Sequence, residues 1–126
     1  MEIKLTPQES EKLFHTALCN GLGQISGYDM KLKYKRAEYD AAKEKLDQSN
    51  IICFEDVLLQ ILRDGGQLKM EDLAGDMDSI ISLEQVHERV SKAPADSIMA
   101  MINEEDDAIT ADDILQTVFW EEVLFG

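Results

Sequence analysis

The sequence has no lysine or arginine after Lys92, only two prolines, seven glycines and two cysteines, and no long apolar run. Each scarcity excludes something. So few prolines and glycines rule out a collagen-like or low-complexity chain. Two cysteines, Cys19 and Cys53, make no disulfide framework, and reduced thiols are expected. No apolar stretch approaches the roughly 18 residues needed to cross a bilayer. The opening Met-Glu-Ile-Lys-Leu-Thr-Pro has no basic segment leading into an apolar one. The expected location is therefore cytoplasmic. Without bases in its last quarter, the chain lacks the means to displace phosphate counterions, so direct binding to nucleic acid is not expected. The same surface repels anionic membranes.

What is present is acid, unevenly spread. Residues 1–50 balance eight bases against eight acids, residues 51–92 hold four bases and nine acids, and residues 93–126 hold nine acids alone. Net charge is −14, with 44% hydrophobic residues, an ordinary globular balance at the usual length of one domain, 1–126. Six carboxylates, Glu104, Glu105, Asp106, Asp107, Asp112 and Asp113, fall within ten positions. Such a surface favours a basic protein partner, a cation or plain solubility.

The hydrophobic periodicity predicts an α+β fold, mostly helical, with about six helices and a small two- or three-stranded antiparallel sheet. Thr6-Pro7-Gln8-Glu9 is a capping box opening a helix with Leu13, Phe14, Ala17 and Leu18 on one face. Asn20-Gly21 is expected to end it. Tyr28 to Tyr34 alternates apolar and polar residues like a half-buried strand. Ala37 to Leu46 favours helix. Asn50 is expected to cap the next helix, in which Phe54, Val57, Leu58, Ile61 and Leu62 keep helical spacing up to Gly65-Gly66. Gln67 to Ser82 reads as a hairpin turning at Gly75-Asp76. Ser82-Leu83-Glu84-Gln85 opens a short helix stopped before Pro94. Ile98, Met101 and Ile102 are expected to face inward on another. Thr110 is expected to cap the last helix, whose Ile114, Leu115, Val118, Phe119, Trp120, Val123, Leu124 and Phe125 surround its axis. Such a helix either threads the middle of the domain or offers part of itself as a partner or dimer surface.

The reactive residue types form no complete motif. EF-hand loops begun at Asp76 or Asn103 fail at the sixth and twelfth positions. His15, Cys19, Cys53 and His87 match a zinc set in number but not in local spacing. Cys19, at the expected end of its helix, is poorly placed for a thiolate. The glycines from Gly21 to Gly27 fit no phosphate loop. Lys31, Lys33, Lys35 and Arg36 form the one basic cluster, expected as a solvated strand face. No catalytic, cofactor or metal residue is assigned.

The closing segment I-N-E-E-D-D-A-I-T-A-D-D-I-L-Q-T-V-F-W-E-E-V-L-F-G and, more faintly, C-F-E-D-V-L-L-Q-I-L-R-D-G resemble small acidic proteins of bacterial mobile elements and phages. No function is assigned to those proteins. The resemblance implies an accessory protein acting on host or element machinery and transfers no residue role.

These readings converge on a non-enzymatic interaction protein that binds a basic partner through its acidic C-terminal third. The expected contact residues are Glu104, Glu105, Asp106, Asp107, Asp112, Asp113, Trp120, Glu121, Glu122 and Phe125, with Trp120 and Phe125 as apolar anchors. Self-association through the last helix is a further outlet. Two alternatives stand beside this: a nucleic-acid mimic that blocks a DNA-binding protein, and a metal- or small-molecule-binding domain.

Overall fold

The computed structural model describes residues 3–46, 48–75 and 77–125. The chain runs α1 (Pro7–Ser26), β1 (Met30–Lys33), α2 (Arg36–Lys45), α3 (Phe54–Arg63), β2 (Leu68–Asp72), β3 (Ser79–Ile81), α4 (Leu83–Arg89), a 3-10 turn (Val90–Lys92), α5 (Ala95–Ile102) and α6 (Ala108–Trp120). The three strands are antiparallel in the order β1-β2-β3. Mostly helical α+β is therefore the architecture, with six helices and three strands among the described residues.

The local signals explain most element starts. The Thr6 hydroxyl accepts from the Glu9 amide at 3.1 Å, while the Thr6 amide donates to the Glu9 carboxylate at 2.9 Å. At α4, the Ser82 amide donates to Gln85 Oε1 at 2.7 Å. Two caps differ from expectation. α3 begins at Phe54, with the Cys53 amide donating to Asp56 Oδ2 at 3.1 Å, so Asn50 lies upstream. α6 is capped by Asp107, whose Oδ1 accepts from the Thr110 amide at 2.8 Å. The acid three residues ahead of Thr110 takes the role because a carboxylate is a charged acceptor at the positive end of the helix. The hairpin turn has Gly75 at φ 92, and its companion Asp76 lies outside the described residues.

α6 forms the middle of the structure. Ala111, Ile114, Leu115, Val118 and Phe119 are buried on it, together with the polar Asp112, Gln116 and Thr117. Its most extensive partner is α1, which contributes Leu13, Phe14, Ala17, Leu18 and Ile25 to the same cluster. The helix thus threads the domain. It stops at Trp120, and Glu121 takes a left-handed turn at φ 65. Residues 121–125 then fold back, so Val123, Leu124 and Phe125 do not continue the helix.

The largest departure is at Asn20-Gly21. α1 does not stop there but runs on to Ser26. Gly21 is buried where α1 crosses α6, and a Cβ on it would lie 3.0 Å from the backbone of Ala111 and Asp112. The glycine buys close approach of two helices, not a turn. Gly23, two residues on, faces open space. Gly21→Ala gains about 1 kcal/mol of helix propensity but overpacks against backbone at about 2–3 kcal/mol, the upper part of the usual 1–3, for a net loss of about 1–2. Gly23→Ala is expected to gain about 0.5–1 kcal/mol. Paired thermal melts of the two variants check the opposite signs.

Helices α1, α3 and α4 meet at one carboxylate. Glu11 accepts from Arg63 Nε at 2.7 Å, its other oxygen lies 2.7 Å from His87 Nε2, and its side chain is 12% exposed. Burial alone would raise its pKa, but Arg63 and His87 hold it below the usual value. A lowered carboxyl pKa stabilises the fold above the unfolded pKa, and that contribution is lost as pH falls through the folded one. Glu11→Gln is accordingly expected to flatten the acid limb of stability against pH, measured by urea unfolding from neutral pH down to the acid range.

Candidate docking site

The acidic turn between α5 and α6 is built by backbone geometry. Glu104 adopts φ 58, which reverses the chain after α5. The amides of Asn103, Glu104 and Glu105 then donate to the carbonyls of Met99, Met101 and Ala100 at 2.8–3.1 Å. The last carbonyls of α5 are thereby satisfied. Asp106 accepts from Asn20 Nδ2 at 2.6 Å, tying the turn to α1.

Between this turn, α5 and the start of α1 lies a cleft of about 310 Å³. Leu5, Leu13, Met101 and Ile102 give it apolar walls. Glu9, Glu104 and Asp106 supply carboxylates at its margin, against Lys12 as the single base among the described residues that line it. The hydrogen bonds from Thr6 hold the Glu9 carboxyl below its usual pKa, so it stays ionised. Ile102, expected to face inward, is 46% exposed. The cleft joins residues far apart in the sequence, and no local pattern marks Leu5, Glu9 or Met101 as belonging with Glu104.

The expected contact residues separate into groups. Glu104 and Asp106 line the cleft, and Glu105 is exposed beside them. Asp107 serves as the helix cap, and the Thr110 amide lowers its pKa. Asp112 is buried, at 2% exposure, and so lies inside rather than on an acidic rim. Asp113 accepts from Ser97 Oγ at 3.0 Å. Trp120, Glu121 and Glu122 belong to the other end of α6, about 20 Å away at 1.5 Å per residue, and Phe125 folds back beside Gln116 in the middle of the helix. Trp120 Nε1 donates to the Met77 carbonyl at 2.7 Å, Glu121 pairs with Arg89 at 3.4 Å, and Phe125 stacks on Tyr28 at 4.9 Å. The acidic turn and the aromatic anchors do not form one patch.

A second constellation lies between α1 and α3. His15 Nε2 is 2.6 Å from Asp56 Oδ1, and Cys19 Sγ is 4.0 Å from His15 Nδ1. The order thiol, imidazole, carboxylate is that of a nucleophile with its base. The electrostatics oppose it. Burial, then Glu55 and Asp56, push the Cys19 thiol up to about 11. The thiol donates to Glu55 at 3.8 Å and stays protonated at neutral pH. His87 is bonded to Glu11, away from Cys19. Among the described residues, no group of three or more His, Cys, Asp or Glu is placed to hold a metal ion.

Within the basic cluster, Lys33 on β1 lies 3.2 Å from Glu71, and Arg36, at the start of α2, lies 3.2 Å from Asp40. Among the described residues no helix is long and apolar enough to cross a membrane. No family model matches the chain, and neither does a curated protein or a solved structure.

Proposed function

We propose that this chain is a non-enzymatic interaction protein that binds a partner with a basic surface at the cleft between α1 and α5. One observation carries the reading: an apolar cleft edged by Glu9, Glu104 and Asp106 with, among the described residues, only Lys12 opposing them. Carboxylates at the margin draw a basic partner in, and the apolar walls supply the buried contact that holds it. The proposal places the protein in the cytoplasm, where both thiols stay reduced, as an accessory factor of the kind its closing segment resembles. A nucleic-acid mimic has less support. It needs carboxylates spaced along an open surface, whereas Asp112 is buried and Asp107, Asp113 and Glu121 are engaged within the chain.

The test is affinity capture from a native lysate at low and high salt, with wild type beside Ile102→Asn and Glu104→Lys. A basic protein retained by wild type, released by salt and lost from both variants at unchanged melting temperature is the expected result. Capture that ignores both substitutions would remove the cleft from the proposal.

A further inference from the structure

We infer that the element received by this cleft is a short amphipathic helix, with lysine or arginine on both sides of an apolar stripe. The inference rests on the docking function just proposed and specifies the partner's form. Its basis is the condition of the cleft's own backbone. Glu9, Lys12, Leu13 and Thr16 lie on α1 and Met101 and Ile102 on α5, helices whose main-chain groups are paired within them, while Leu5 and the turn of Glu104 and Asp106 complete the lining. At the near end of α1, the Thr6 amide is taken by Glu9. At the end of α5, the carbonyls of Met99, Ala100 and Met101 are taken by the turn that follows. Among the described residues no strand lines the cleft.

An extended peptide laid along the two helices would find no ladder to join, and the amides and carbonyls it buried against them would go unpaired, at about 1–3 kcal/mol each. A helix satisfies its own backbone and presents only side chains. It therefore enters such a groove without that cost. The apolar lining fits the same occupant. The volume of about 310 Å³ lies at the small end of ligand pockets, with room for the tips of a couple of bulky side chains. Met101 on the wall is unbranched and polarizable, and adapts to an aliphatic ridge. The charge settles the flanks. Glu9 stands on α1, while Glu104 and Asp106 stand beyond the end of α5, so the carboxylates come from both walls. A partner helix meets them by carrying bases on either side of its stripe.

The probe is a fluorescent designed peptide of about 18 residues, long enough to form helix. It carries leucines at helical spacing and lysines and arginines on both flanks. One control has the same composition with the leucines scattered around the helix. Another has two prolines at its centre. The amphipathic peptide is expected to bind, to gain helical ellipticity when bound, and to exceed both controls by about tenfold or more. Ile102→Asn and Glu104→Lys are each expected to weaken it by about tenfold, with melting temperature unchanged. If the scattered peptide binds equally and Ile102→Asn has no effect, attraction to a basic partner stands but the helix-receiving groove is overturned. If the proline peptide binds best, the occupant is extended and the inference fails. If no basic peptide binds even at low salt, the inference fails together with the docking function beneath it.

Discussion

Gln116→Ala is expected to lower the free energy of unfolding by about 2–4 kcal/mol, far more than a surface glutamine would. Gln116 is fully buried in the middle of α6. Its Oε1 accepts from the amides of Leu124 and Phe125 at 2.7 and 2.8 Å. Its Nε2 donates to the Phe125 carbonyl and to Asp112 Oδ2, each at 3.0 Å. One side chain thus holds the returning tail against the helix by three backbone bonds. Four bonds at about 0.5–1.5 kcal/mol each set the scale, and release of the tail's amides and carbonyl to water offsets part of their sum.

The fourth bond matters beyond its own strength. Asp112 Oδ2 has two donors, Gln116 and Tyr28, while Oδ1 is buried with no partner among the described residues. Burial raises the Asp112 pKa, with the bonds from Gln116 and Tyr28 opposing and Asp113 adding to the rise. A raised carboxyl pKa contributes stability below the unfolded value and loses it as pH rises through the folded one, the reverse of Glu11. Gln116→Glu sharpens the test. It keeps an acceptor for the tail amides but sets a second carboxylate beside Asp112 and removes both donated bonds. Its deficit should exceed that of Gln116→Ala at neutral pH and shrink as pH falls, read by urea unfolding across the acid range. A loss under about 1 kcal/mol for Gln116→Ala, with the tail as protease-resistant as in wild type, would show that the clamp contributes little.

The sequence was legible wherever one segment carries its own physics. Thr6 with Glu9 and Ser82 with Gln85 start their helices as reciprocal caps do. The spacing of Val57, Leu58, Ile61 and Leu62 is all that α3 needs to find the core. Met30 and Leu32 alternate with lysines on β1, though the strand is shorter than the alternation suggests. Asn20-Gly21 misleads because a glycine that ends a helix and a glycine that admits another backbone look the same in one chain. What separates them is Ala111 and Asp112, about ninety residues away. The tail misleads for a similar reason. Val123, Leu124 and Phe125 extend the apolar pattern of α6, but Gln116 captures their backbone and Tyr28 receives the ring of Phe125. The acidic turn was legible as charge. Its apolar counterpart was not, since Leu5 and Leu13 meet Met101 and Ile102 only after folding.

That separation of acid from aromatic makes Trp120 decisive. Trp120→Ala is expected to cost about 2–3 kcal/mol of stability and to leave binding of the cationic amphipathic peptide within about twofold of wild type. The indole is half-buried. It packs at 6.0 Å on Phe119 and edge-on at 6.0 Å on Phe125. Its nitrogen is satisfied by Met77, so the polar edge that would engage a partner is already engaged. Truncation removes the ring contacts and leaves the Met77 carbonyl to find water. The magnitude stays below that of a fully buried tryptophan because part of the ring already faces solvent. Trp120→Phe separates the two contributions, since it keeps most of the packing and loses the donated bond, for about 0.5–1.5 kcal/mol. Circular dichroism in urea gives the stability of both variants without relying on the tryptophan signal, and anisotropy of the labelled peptide gives the binding. An intact fold with peptide binding abolished would place the docking surface at the tail end of α6. A destabilised fold that still binds leaves it with Ile102 and Glu104, at the end where the carboxylates face an open apolar cleft.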